Sequence, residues 1–210
     1  MFKKIALVIL FSLALASCKA DEHSADSKTV LIETSGRFDG STLAGNLMAT
    51  AMKEIYKVDF VFYPSEFLSA DRYALIEPGL TPEEITDRIL PLYPDKGDMD
   101  YFQIGTLRGS EIKKFVLNRT TKFYRVDLQV AGLEYDAQFI GGLPTIFQID
   151  RPRGLPINDD EYYSIAISDY EYYSGKTFPG YRYGNGLNNS FKPQAGLHSA
   201  REALTAFLAS

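Results

Sequence analysis

Residues 162–178 read YYSIAISDYEYYSGKTF. The first part, YYSIAI, is β-branched and aromatic, as a strand should be. It then runs through Ser168 and Asp169 into a crowd of tyrosines, a glycine and Phe178. A strand that ends in aromatic turn residues either packs that turn on its own domain or presents it to a ligand. The flanking chain has to say which.

Upstream, FYRVDLQV (Phe123–Val130) alternates, with Tyr124, Val126, Leu128 and Val130 on one face, and reads as a half-buried strand. TIFQI (145–149) is a further strand, separated from YYSIAI by the Pro- and Asp-rich turn RPRGLPINDD. Towards the N-terminus, Leu43, Leu47, Ala51 and Ile55 recur every four residues behind Ser41 and Thr42, either of which can cap a helix. VDFVFY (58–63) follows as an apolar strand. TPEE (81–84) carries a Thr cap, Pro in the first turn and Glu at the capping-box position. YFQIGTL then reads as a strand and GSEIKKFVLN as a short helix capped by Ser110, while SARE (199–202) opens a last helix with a second capping box. Helices and strands interleave irregularly, which predicts an α/β or α+β class.

The first eighteen residues do not belong to this pattern. Lys3 and Lys4 precede an apolar run, Ile5–Leu15, too short to span a bilayer comfortably, and small residues follow, as in a secretory signal. The sequence LASC, ending at Cys18, looks like a bacterial lipobox. Its simpler alternative is a plain signal cut near Ser17. Cys18 is the only cysteine, so the remaining chain has no pair for an intramolecular disulfide. We therefore expect a signal peptide over 1–18 with lipidation at Cys18, a polar tether over 19–32, and one domain over 33–210. Lys19 after the cysteine favours the outer membrane, with the domain facing the periplasm.

Counting residues excludes several chemistries. The formal charge is −5 without a basic cluster, which argues against a nucleic-acid polymer as partner. Of the two histidines, His23 lies in the tether and His198 just before the last helix, too few for a histidine metal centre. His198 reads as a helix-start residue. Asp95, Asp98 and Asp100 lack the spacing and distal glutamate of a calcium loop and read as a solvated turn. No phosphate loop and no nucleophile elbow are present. No metal and no cofactor is expected, and self-sufficient catalysis is not expected.

The order of motifs nevertheless resembles one family, the C-terminal domain of the 5'-nucleotidases. GNLMATAMK (45–53), GLTPEEITDRILPLYP (79–94), LRGSEIKKF (107–115), VDLQVAGLEYD (126–136) and YYSIAISDYEYYSGKTF (162–178) resemble five of its motifs in the right order. The resemblance implies a layered α/β/β/α domain that recognises a nucleoside, with catalysis left to a metallophosphatase domain. It further implies that a base is held between two aromatic rings, a sequence-tolerant contact because every base has a π-face. One of those rings maps onto Phe178. The other maps onto Leu92, with Tyr93 beside it as a substitute.

The family's arginines have no aligned counterpart, and Arg72 and Arg37 are the nearest. Its ribose-binding aspartate falls on Gly184, and its glycine-rich loop on YPSEFL (63–68). Two functions are open on this basis. One is a nucleoside- or nucleotide-recognising lipoprotein that assists a separately encoded metallophosphatase in nucleotide catabolism. The other is a non-catalytic envelope lipoprotein with a degenerate site, acting through protein contacts or another small ligand.

Overall fold

A computed structural model describes residues 29–33, 41–64, 68, 73–90, 101–123, 128–169, 172, 191–196 and 198–210. In chain order the elements are β1 (Val30–Glu33), α1 (Leu43–Tyr56), β2 (Phe60–Pro64), β3 (Tyr73–Ile76), α2 (Pro82–Ile89), β4 (Tyr101–Arg108) and α3 (Gly109–Phe123). There follow β5 (Leu128–Ala131), β6 (Glu134–Ile140), β7 (Leu143–Arg151), β8 (Leu155–Pro156), β9 (Tyr162–Ser168), β10 (Lys192–Pro193), β11 (His198–Ser199) and α4 (Ala200–Leu208).

The central sheet runs β10-β4-β9-β2-β5, with β11 also pairing to β4. Only β2 and β9 are parallel, Phe60–Phe62 lying beside Ile165–Ile167; every other ladder is antiparallel. β1 and β3 form a separate pair, and β6, β7 and β8 a three-stranded sheet.

Because side chains alternate along a strand, this sheet feeds two cores. Val61 and Tyr63 of β2 and Ala166 of β9 face α1 and α4, where Met48, Met52, Ala203 and Leu204 are fully buried. Phe60, Phe62, Ile165 and Ile167 face the other way, onto Ile112, Phe115 and Val116 of α3. The hairpin of β6 and β7 joins this second core through Tyr135, Ile146 and Ile149. Phe62 meets Phe115 edge-on, centroids 5.1 Å apart. The sheet is thus covered by helices α1, α2 and α4 on one side, and by α3 with the three-stranded sheet on the other. This is the layered α/β architecture expected from the sequence. Among the described residues no helix is long and apolar enough to cross a membrane.

Local expectations fared unevenly. Thr42, Thr81 and Ser199 do cap α1, α2 and α4, and Thr81 with Glu84 forms the full capping box. Ser110 does not cap α3. The helix already begins at Gly109, whose amide donates to Glu161 O while that of Ser110 donates to Asp159 O, so a neighbouring turn does the capping. α3 also runs on to Phe123, taking the start of the expected FYRVDLQV strand. What remains, β5, is buried on both faces: Leu128 and Gln129 are both buried, so alternation misjudged Gln129. Val30–Ile32, expected to end the tether, form β1 instead, and Ile32 is buried in the first core.

Candidate functional site

The residues expected to hold a ligand (Phe178, Tyr93, Arg72 and Arg37) lie outside the described residues, as does Cys18. What the structure does describe is where their segments leave the fold. β2 and β9 are parallel and end together, Pro64 and Ser168 at the same edge of the sheet. β4, antiparallel to β9, starts at that edge, with Phe102 opposite Ser168. β5 starts there too, with Leu128 opposite Pro64.

Segment 65–72, which carries Arg72, therefore departs from this edge. Segment 91–100, with Tyr93, arrives at it, and the segment with Phe178 departs from it after Asp169. Segment 34–40, with Arg37, leads into α1, whose first turn is fastened to β5 at the same edge. Open sheets place ligands outside the carboxyl ends of parallel strands, and this edge is where β2 and β9 end.

Several anchors make the edge rigid. The side chain of Gln129 is fully buried and its Oε1 accepts from the amide of Thr42 at 2.9 Å. Thr42 in turn accepts from the amide of Gly45 at 3.0 Å, so two orphan donors of the α1 N-terminus are satisfied. A Cβ on Gly45 would stand 2.1 Å from Gln129 Oε1, which explains the glycine of GNLMATAMK. At the end of β9, Asp169 accepts from Gln103 Nε2 of β4 at 2.7 Å, fixing the point from which the aromatic segment departs.

Tyr172 is buried in the second core and packs edge-on against Phe191, 5.4 Å between centroids. Phe191 finds room because β4 carries Gly105, where a Cβ would approach its ring to 2.6 Å. So Tyr172, as expected for a packing tyrosine, roots the segment rather than facing a ligand. Arg201 of α4 donates to Asp87 and to Leu90 O, pinning the C-cap of α2, three residues before Tyr93. Arg201 is a charge-assisted donor to both, stronger than a neutral pair.

His198 sits at the start of α4, its ring stacked on Phe102 at 5.6 Å and edge-on to Tyr56 at 5.1 Å. Tyr56 donates to Ser199 O at 3.3 Å. Burial raises the Tyr56 pKa above 10.0, and the nearby charge of Glu202 raises it further. This histidine is part of an aromatic corner that docks α4. Among the described residues no group of three or more His, Cys, Asp or Glu side chains could hold a metal ion.

Gln103, Gln129 and Arg119 were not singled out from the sequence. Arg119 is 3 % exposed and occupies the apolar stripe of α3 after Ile112, Phe115 and Val116. The 3.6-residue period placed it there, and that period is the signal that would have found it.

Residues 23–182 match the model of the family "5'-nucleotidase, C-terminal domain". The chain belongs to that family. Similar solved structures include a 5'-nucleotidase precursor from Thermus thermophilus, 16% identical with a TM-score of 0.58, covering 99% of this chain and 40% of its own. Another is the sulfate thiohydrolase SoxB of Thermus thermophilus in complex with glycerol, 19% identical with a TM-score of 0.57, covering 98% and 35% respectively. The chain therefore spans two fifths or less of the length of these two proteins, and at such identity they establish its fold. No curated protein matches it. As a member of the family, the chain resembles the substrate-binding C-terminal domain of 5'-nucleotidases.

Proposed function

We propose that this protein is a lipid-anchored envelope protein that recognises a nucleoside or nucleotide and works with a metallophosphatase encoded separately. Its anchor is Cys18, and its place is the outer membrane, facing the periplasm. Phe178 and Tyr93 clamp the base, and Arg72 or Arg37 meets the anionic groups of the ligand, where a planar guanidinium suits phosphate. The observation that supports this reading is that, within a 5'-nucleotidase-family domain, the strands next to three of the candidate segments meet at one end of the central sheet: β2 before that of Arg72, β4 after that of Tyr93 and β9 before that of Phe178.

A thermal-shift panel of nucleosides and 5'-nucleotides tests it. A ligand present at a hundred times its dissociation constant stabilises the fold by about 2.7 kcal/mol, a melting shift of several degrees. At least one member should produce that shift, and Phe178→Ala should abolish it while leaving the ligand-free melting temperature unchanged. A panel with no response, or a response that Phe178→Ala leaves intact, sinks the clamp. It would favour the second reading, an envelope lipoprotein with a degenerate site. Gly184 at the place of the family's aspartate, and YPSEFL at that of its glycine-rich loop, are the departures that favour that reading.

A further inference from the structure

Among the described residues two groups of exposed apolar side chains stand out, Val30, Leu31, Tyr73 and Leu75 on the β1–β3 pair and those at the tip of the β6–β7 hairpin. Phe139, Ile140 and Leu143 are 50, 56 and 53 % exposed, and they surround Gly141 and Gly142. Those glycines have φ of +61° and +83° and close the β6–β7 hairpin as a two-residue turn, with Ile140 opposite Leu143. Among the described residues a Cβ on either glycine would meet nothing within 4 Å, so the turn stands clear of them. From residue 137 to 149 there is no ionisable side chain, whereas Asp136 and Asp150 flank the run. The other end of the same hairpin is held in the second core by Tyr135 and Ile149.

Soluble proteins usually guard such strand ends with lysine, and contiguous exposed apolar groups mark a contact surface. Residues 137–149 offer no charged group to fix the register of a protein partner. That combination suits a lipid surface, into which apolar groups enter by about 5–10 Å at the headgroup boundary.

We propose that the β6–β7 tip is a membrane wedge, which seats the domain on the bilayer that anchors Cys18. This rests on the lipid-anchored reading given above. Eleven residues, 19–29, separate Cys18 from Val30. At full stretch they reach about 40 Å, roughly the diameter of a domain of this length, so the tip can touch the bilayer from any side of the anchor. The several acyl chains of a lipobox cysteine anchor stably, so the wedge supplies orientation rather than hold.

The chain contains no tryptophan, so one introduced residue reports its own depth. Residues 18–210 include every residue of both cores. That chain is coupled through Cys18, its only thiol, to a maleimide phospholipid in phosphatidylcholine vesicles with or without bromine on the acyl chains. Phe139→Trp should show blue-shifted emission, quenched about twofold or more by the brominated lipid. Tyr73→Trp, on the exposed β1–β3 sheet, should show neither change. Adding Ile140→Ser and Leu143→Ser to Phe139→Trp should remove the quenching without lowering the melting temperature.

Equal emission of Phe139→Trp in both lipids overturns the wedge. So does quenching confined to Tyr73→Trp, and so does an unquenched chain that sediments as a dimer, which would assign the tip to a second copy. The coupling supplies the anchor chemically, so the wedge is decided either way. Native acylation is read separately, from the mass of the N-terminal peptide, and its absence would sink the lipid-anchored reading alone.

Discussion

Gly45 and Gln129 show how a single atom's space organises this fold. The two are 84 residues apart, yet the carboxamide of Gln129 lies where a Cβ of residue 45 would be. Its Oε1 is also the acceptor for the amide of Thr42. Gly45→Ala would thus displace a fully buried side chain and strip that amide of its partner, at a cost of about 1–3 kcal/mol. The same substitution in a Gln129→Ala background meets no such side chain and should cost close to nothing, since alanine is otherwise the better helix former. Urea denaturation of the four proteins measures the coupling. Additive losses would show that the close approach is not what keeps position 45 a glycine. The ion pair of Arg201 with Asp87 is a similar long-range tie, but one partner is more than half exposed, so most of its value lies in the bond to Leu90 O.

Single elements are stabilised mainly by what their ends can satisfy. α2 is only eight residues long and mostly polar, with Thr86 and Ile89 its buried positions, so it depends on its start. Thr81 accepts from the amide of Glu84 at 3.2 Å, and Glu84 accepts from that of Thr81 at 2.7 Å. Thr81→Ala should lower stability by about 1 kcal/mol, and Thr81→Ser by clearly less. Equal losses for both would mean that the hydroxyl bond is idle.

Caps of this kind were legible in the sequence because they are local: Thr42, Thr81 and Ser199 each serve a helix that starts at the next residue. The extent of α3 and the burial of Gln129 were not legible. The alternation in FYRVDLQV is real, but Phe123 was claimed by a helix entering the second core from β4, and Gln129 by a helix N-terminus far away in sequence. The β6–β7 hairpin is legible too, for Gly141-Gly142 between apolar residues is a strong turn signal. The candidate site divides in the same way. Its residues could be named only through family resemblance, while the meeting of β2, β4, β5 and β9 at one end of the sheet depends on strand register, which no local pattern records.

At the scale of the whole molecule, one sheet with a core on each face makes a single cooperative unit, and two phenols, half-buried Tyr56 and buried Tyr163, should make its stability fall at alkaline pH. Tyr56 fastens α4 to the first core and Tyr163 lines the second, its ring 5.0 Å from that of Phe60. Burial is the first cause of a raised pKa in both. For Tyr163 the amide of Asn158 works against it, while the bond to Glu161 and that residue's charge add to it, and Arg151 opposes. A raised value means that the folded state holds its proton longer than the unfolded one. Below about pH 10 both states are protonated and the contribution is intact. As pH rises past 10 the unfolded chain ionises first, and stability falls until the folded phenols ionise too.

Urea midpoints should therefore show no tyrosine-linked decline between about pH 7 and 9 and then drop steeply from about pH 10 upward. Tyr56→Phe and Tyr163→Phe each remove one ionising group, so both variants should lose less stability over that alkaline interval than the parent does. Tyr163→Phe starts lower at neutral pH because it forfeits bonds to Asn158 and Glu161. The slope above pH 10, rather than the neutral value, is therefore the decisive quantity. Slopes identical to the parent's in both variants would show that these two phenols do not cause the alkaline fall.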